Sequence, residues 1–297
     1  MPHVVTLIAG RELDDLAGRA ATLARRLDAD TVWLDPGRAV DLVVGGERVE
    51  ESRAATEEIV GTLPVDRAVQ PLFGRRKRLL VADMDSTVIT VECVDVLARR
   101  TGLGETIAEI TAQTIRGELE FGESLRRRVA MLKGTPVAAL EAAWRDDVRL
   151  TEGAAALVAT MRAHGALTAL VSGGFTWFTS RVAAAAGFDL ERANTLAIKA
   201  DRLTGGLVEP VLDRTAKLAM LRELAASRGL ALAETMAVGD GANDVAILEA
   251  AGTGVAFRAV PLAEAAADVA IRHNDLTALL FVQGYRRDDF VEAVPIP

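Results

Sequence analysis

Over the first 71 residues, short stretches dominated by apolar residues alternate with longer ones in which apolar positions recur every three or four residues. HVVTLIAG (3–10), TVWL (31–34), AVDLVV (39–44) and VDRAVQP (65–71) have the composition of strands. ELDDLAGRAATLARRL (12–27) and VEESRAATEEIV (49–60) carry the period of amphipathic helices. Turn chemistry fits this division, with Pro36-Gly37 between the two middle strands and Gly45-Gly46 after the second. The resulting order, β-α-β-β-α-β, predicts a small ferredoxin-like α+β unit over residues 1–71.

From residue 79 the pattern changes to apolar runs separated by helical stretches, which predicts an open, largely parallel α/β sheet, a Rossmann-like core within residues 72–297. Its strand candidates are RLLVADM (78–84), ALTALVSGG (166–174), ETMAVGDG (234–241), TGVAF (253–257) and DVAIR (268–272). The first two are separated by residues 92 to about 150, helical in pattern throughout and broken at Gly102, Gly104, Gly117, Gly134 and Pro136. About sixty residues exceed any ordinary connection in such a fold. The stretch therefore reads as a helical cap over the carboxyl edge of the sheet, where open α/β folds keep their sites. Between the two segments, GRRKR (74–78) places four cations in five residues and reads as a solvated linker.

Composition narrows the function classes. The chain has 297 residues, 50% hydrophobic and 26% charged, enough to bury a sizeable core in two or three domains. A net charge of −8 argues against a nucleic-acid or anionic-membrane partner. Cys93 is the only cysteine, so no internal disulfide forms, and it reads as a buried, inert thiol. The opening MPHVVTLIAG lacks the features of a secretory signal, and no apolar run reaches the length of a membrane span, so a cytoplasmic protein is expected. His3, His164 and His273 stand far apart without ligand spacing, and no chemistry is assigned to them.

Candidate chemistry gathers where strands end. Asp83 and Asp85 follow the first strand of the second segment, and side chains two apart in a strand point the same way. Neighbouring carboxylates raise one pKa and attract a hard divalent cation. VSGG puts Ser172 beside Gly173 and Gly174, offering a hydroxyl and open backbone N–H groups to an anion. DRTAK sets Lys217 in the opening turn of a helix, where it can meet a bound phosphate. GDGAND supplies Asp240, Asn243 and Asp244, further oxygen donors. Each stretch alone has a plain structural explanation; together they converge on a phosphate beside a metal ion.

In this order, DMDST, VSGG, Lys217 and GDGAND resemble the four motifs of the haloacid dehalogenase superfamily of phosphotransferases. Glu92, nine positions after Asp83, and FGESLRRRV (121–129) are similar to the cap signature of the phosphoserine phosphatase branch. The resemblance implies Asp83 as the nucleophile forming an aspartyl-phosphate, and Asp85 as the general acid and base. It implies Mg²⁺ held by Asp83, the backbone carbonyl of Asp85 and Asp240, with Asp244 behind the metal and Thr87 steadying the loop. Ser172, Gly173, Lys217 and Asn243 then hold the phosphate, Glu92 meets the ammonium and Arg128 the carboxylate of O-phosphoserine, released as serine in the last step of its biosynthesis. Arg126 and Arg127 lie on other faces of the predicted helix. Another small phosphomonoester substrate, a phosphotransferase and a phospho-accepting regulatory module remain alternatives. The first 71 residues read as a packing or homodimerisation unit, or as a regulatory unit of the ACT type, the latter resting on topology alone.

Overall fold

The computed structural model describes residues 1–11, 13–115, 118–212 and 214–292. The chain begins with β1 (His3–Ala9), α1 (Leu16–Leu27), β2 (Ala29–Asp35), β3 (Ala39–Val44), α2 (Val49–Val60) and β4 (Val65–Pro71). The four strands form an antiparallel sheet in the order β2-β3-β1-β4, the ferredoxin-like arrangement. The Asp15 carboxylate caps α1 by accepting from the Gly18 N–H, and Leu16, Ala20, Leu23 and Leu27 line its buried stripe.

Strand alternation explains why this sheet is covered on both sides. Val5, Leu7, Val40, Leu42 and Val65 face α1 and α2, whereas Ile8, Ala39 and Ala68 face the rest of the molecule and join its main core. Polar residues on that second face are buried or half-buried, and partners far along the chain satisfy them. Asp66 accepts from the N–H groups of Arg272 (2.8 Å), His273 (3.1 Å) and Asn274 (3.0 Å) and from Asn274 Nδ2 (2.9 Å). Gln70 Nε2 donates to the Val282 carbonyl at 2.6 Å.

The GRRKR run is a solvated linker only in part: Arg76 and Arg78 are exposed, whereas Arg75 and Lys77 make contacts inside the molecule. Arg75 reaches Asp41, buried in the small sheet, at 2.5 Å, and Lys77 is buried, donating to the carbonyls of Ala233 (2.8 Å) and Gly252 (3.3 Å). Burial of a cation requires such compensation, so these side chains join the two sheets to each other.

The second segment contains β5 (Leu79–Ala82), α3 (Cys93–Arg100), α4 (Gly104–Ile115), α5 (Phe121–Met131), α6 (Val137–Asp146), α7 (Ala154–Ala163), β6 (Leu167–Phe175) and α8 (Thr176–Ala186). It continues with β7 (Leu190–Lys199), β8 (Arg202–Val208), α9 (Arg214–Ser227), β9 (Thr235–Gly239), α10 (Val245–Ala250), β10 (Thr253–Phe257), α11 (Pro261–Ala266), β11 (Val269–Ile271) and α12 (Ala278–Val282). The strands form one sheet, β11-β10-β9-β5-β6-β7-β8, parallel except for the antiparallel β7–β8 pair at one edge. Leu80 and Ala82 point to one buried layer and Leu79 and Val81 to the other, which accounts for the uninterrupted apolar run.

The β7–β8 hairpin is absent from the strand candidates read from the sequence. Much of it is solvent-exposed, as Leu190, Ile198 and Val208 illustrate, so it lacks the apolar run that marks the inner strands. Helices α3 to α6 fill the span between β5 and α7, closed at its base by an Ile89–Leu150 bridge. Gly117, one of the expected breakpoints, lies outside the described residues. Among the described residues, no helix is long and apolar enough to cross a membrane.

Candidate active site

β5 sits at the middle of the parallel sheet, and the chain turns sharply where it ends. Asp83 keeps the extended backbone, and Ile89 N–H closes back onto the Met84 carbonyl. Ser86, at φ 54°, occupies the left-handed region, an unusual conformation for a residue with a side chain. The Asp83 carboxylate is nearly fully buried. Its Oδ1 accepts from the Met84 N–H and from Lys217 Nζ, each at 2.8 Å, and its Oδ2 faces Asn243 Nδ2 at 3.3 Å.

Lys217 ends the first turn of α9 and also binds Asp244 Oδ1 at 2.6 Å. The other Asp244 oxygen accepts the N–H groups of Asp240 (3.2 Å) and Gly241 (3.1 Å), so Asp244 braces the loop after β9. Thr87 Oγ donates to Asp240 Oδ1 at 2.9 Å. Asp83, Asp240 and Asp244 each bring one carboxylate oxygen to within 4.8 Å of the others. The carboxylates come from the two turns that follow β5 and β9 at the carboxyl edge of one sheet, and Lys217 comes from the start of α9.

Asp85 lies beside this cluster. Its Oδ1 accepts the Cys93 N–H at 3.1 Å, the first helical residue of α3 and one of the donors a helix start leaves free. Its Oδ2 approaches Gly174 so closely that a Cβ there would stand 2.8 Å from that oxygen and 3.0 Å from Ser172 Oγ. A side chain at 174 would therefore displace Asp85 or Ser172, and Ser172, buried, accepts the Gly174 N–H at 2.8 Å. Glu92 precedes α3 and accepts a 2.6 Å hydrogen bond from Ser86 Oγ. Arg128 projects from α5 with its Nε 3.4 Å from the Ser124 carbonyl, in the field of Asp95, Glu92 and Asp85. Arg126 and Arg127 turn away, to Glu209 and Glu123. Among the histidines, His3 pairs with Ser52 and His164 with the Thr160 carbonyl.

Electrostatics set these carboxylates apart from ordinary ones. Burial, then repulsion from Asp83 and Asp244, pushes Asp240 up to about 7. Burial and Asp83 likewise raise Asp244 to about 6 against the pull of Lys217. Burial alone opposes the charge on Lys217, but Asp244 and Asp83 outweigh it and hold the amine protonated well above its ordinary range. Burial also raises Asp85, with Glu92 adding to it, and raises Glu92 itself. Arg128 is lowered by burial, but a guanidinium stays charged. Three carboxylates thus face one ammonium, with hard oxygen donors and surplus negative charge, and that donor set fits a small divalent cation.

Ser86, which holds Glu92, carries no role among those read from the sequence motifs, although its place between Asp85 and Glu92 in the chain is a usable signal. Cys93, expected as a buried thiol, is buried, and its backbone N–H serves Asp85.

Residues 80–249 match the family model described as haloacid dehalogenase-like hydrolase. A phosphoserine phosphatase of Streptomyces coelicolor is 41% identical over 260 residues, 87% of this chain and 63% of that protein. The chain therefore spans only 63% of the length of that relative. A phosphoserine phosphatase of Archaeoglobus fulgidus is 39% identical over 245 residues, covering 82% of this chain and 70% of that protein. Among solved structures, a haloacid dehalogenase family hydrolase from Salmonella enterica superimposes with a TM-score of 0.83 at 31% identity, over 94% of this chain and 98% of that one.

Proposed function

The chain belongs to the haloacid dehalogenase-like hydrolases, and on that premise we propose that it is a phosphoserine phosphatase hydrolysing O-phospho-L-serine to L-serine and phosphate. The observation that carries the substrate assignment is that Glu92, solvent-accessible at the head of α3, and half-buried Arg128 of α5 lie in each other's field and in that of the Asp85 carboxyl. A substrate with an ammonium and a carboxylate on one carbon needs two such partners, and the planar guanidinium grips a carboxylate through two hydrogen bonds. The names of the two curated relatives support the same reading.

Asp83 attacks phosphorus, forming an O–P bond as the bond to the serine oxygen breaks. Lys217 and Asn243, already within hydrogen-bond distance of the Asp83 carboxylate, hold it in line, and Lys217 offsets its charge. Asp85, whose protonated form is favoured by burial, gives its proton to the departing serine oxygen. It then takes a proton from the water that hydrolyses the aspartyl-phosphate, so it ends the cycle as it began. Ser172 and the Gly173 N–H bind the phosphoryl oxygens. Mg²⁺ would be held by Asp83, Asp240 and the Asp85 carbonyl, with Asp244 bracing the loop, and when bound it offsets charge on the transferring phosphoryl group. We also place self-association in the amino-terminal sheet, where β2 is an edge strand with Asp30 and Thr31 exposed.

Phosphate release from L-phosphoserine, phosphothreonine and p-nitrophenyl phosphate, with Mg²⁺ and with EDTA, tests the reading, with Asp83→Asn as control. The expected result is metal-dependent turnover preferring phosphoserine and lost in the variant. Metal-dependent turnover without that preference would remove the assigned roles of Glu92 and Arg128.

A further inference from the structure

Asn194 is buried deep in β7, outside every motif considered so far, and all of its side-chain bonds go to backbone that leads into the site. Its Nδ2 donates to the Gly173 carbonyl at 2.9 Å and approaches the Leu212 carbonyl at 3.5 Å, while its Oδ1 accepts the Leu212 N–H at 2.7 Å. Gly173 lies between Ser172 and Gly174; Leu212 stands two residues before α9, which carries Lys217.

The reason for a side-chain amide here lies in the strand pairing. β6 and β7 pair regularly at Ala169–Leu190 through Val171–Arg192, and the register then breaks until Phe175–Asn194. The break spans Ser172, Gly173 and Gly174, whose backbone leaves the ladder to face the site. A carbonyl released from a ladder inside the protein still needs a donor. An amide side chain supplies one, and its remaining acceptor and donor match a single residue of extended backbone as a neighbouring strand would. One residue thereby fixes the distance between the phosphate loop after β6 and the approach to α9.

We propose that Asn194 is a positioning residue that sets Ser172 and Gly173 against Lys217, so that the three donors close on one phosphate. This deepens the proposed function and rests on its reading of those three residues as the phosphate cradle. It is independent of Glu92 and Arg128, so it holds for any phosphomonoester.

The test uses the full chain and two variants. Asn194→Asp keeps the acceptor for the Leu212 N–H but sets a carboxylate against the Gly173 and Leu212 carbonyls. Asn194→Ser keeps a donor but gives up the paired contact to Leu212. Binding of inorganic phosphate in the presence of Mg²⁺ is measured by calorimetry, together with kcat and KM for phosphoserine and p-nitrophenyl phosphate. The expected result is phosphate affinity at least ~10-fold weaker in Asn194→Asp, with an intermediate loss in Asn194→Ser. The kcat/KM should fall by the same factor for both substrates, leaving their ratio unchanged. A purely structural role would lower the unfolding temperature and leave phosphate affinity and kcat per folded molecule within about twofold, which would overturn the proposal. So would a wild-type protein that fails to bind phosphate. Phosphate binding without a preference for phosphoserine would overturn the substrate reading alone.

Discussion

Asp85 shows how much of the proposed chemistry depends on a single residue's surroundings. Its carboxyl is pushed upward by burial and by Glu92, a shift that suits an acid of neutral solution, yet the Cys93 N–H fixes one oxygen and Gly174 leaves room for the other. Gly174→Ala places a methyl group 2.8 Å from Asp85 Oδ2. We expect kcat for phosphoserine to fall by roughly 10² or more, the value of a well-placed general acid. p-Nitrophenyl phosphate, whose leaving group needs less protonation, should lose less; equal losses would mean that Gly174 matters for the phosphate loop alone. At Arg128, substitution by alanine should raise KM for phosphoserine roughly 10- to 100-fold, as expected for a charge-assisted hydrogen bond. KM for p-nitrophenyl phosphate should hardly change. Equal increases on both substrates would remove Arg128 from carboxylate recognition.

At the scale of elements, the parallel sheet brings distant residues together because β5, β6 and β9 all end at the same edge. The sheet tolerates little extra volume where helices cross it. A Cβ at Gly254, in β10, would stand 2.1 Å from the Leu248 carbonyl oxygen of α10, and backbone cannot yield as a side chain can. Gly254→Ala should therefore cost about 1–3 kcal/mol of stability, as overpacking does, and lower the unfolding temperature by several degrees. A thermal unfolding curve that superimposes on wild type would show that the α10–β10 packing is looser than the structure has it. Helix α3 has a second use for its amino terminus, since its first N–H holds Asp85 and the residue before it is Glu92. One helix start thus aligns Asp85, the proposed proton donor, with a substrate-binding candidate.

For the whole molecule, excess negative charge at the site links stability to pH and metal. With no cation bound, Asp240 and Asp244 titrate at about 7 and about 6, above the ordinary carboxylate range of the unfolded chain. The folded protein then binds more protons than the unfolded one between about pH 4 and pH 7, so its stability falls as pH rises through that window. A divalent cation would bind the ionised form and reverse the loss. Mg²⁺ should accordingly raise the unfolding temperature more at pH 8 than at pH 5; an equal shift at both would mean that these carboxylates do not bind it. The small sheet is coupled to the rest through buried contacts: Ile8, Leu34, Ala39 and Ala68 share one apolar cluster with Leu279 and Phe281. Deleting residues 1–71 should expose that cluster and lower solubility and unfolding temperature. A truncated protein as stable as the full chain would show the two parts to be energetically separate, and its mass by light scattering would then locate any self-association.

The sequence by itself determined the strands that are buried on both faces, the helices with a clear apolar stripe and the ferredoxin-like order of the first segment. It also marked Asp83, Asp85, Ser172, Lys217, Asp240 and Asn243, because each sits in a short stretch whose polar residues interrupt an apolar run. Such signals lie within a few residues of chain, where period and turn chemistry act. Only the tertiary structure decided that Asp83 meets Lys217 and Asn243 from far along the chain, that Lys77 is buried, and that Arg75 reaches buried Asp41. It alone paired β7 with β8 and gave Asn194 its backbone partners. A charged or amide side chain carries no local mark of being buried, since its burial is stable only where partners from other elements complete its hydrogen bonds.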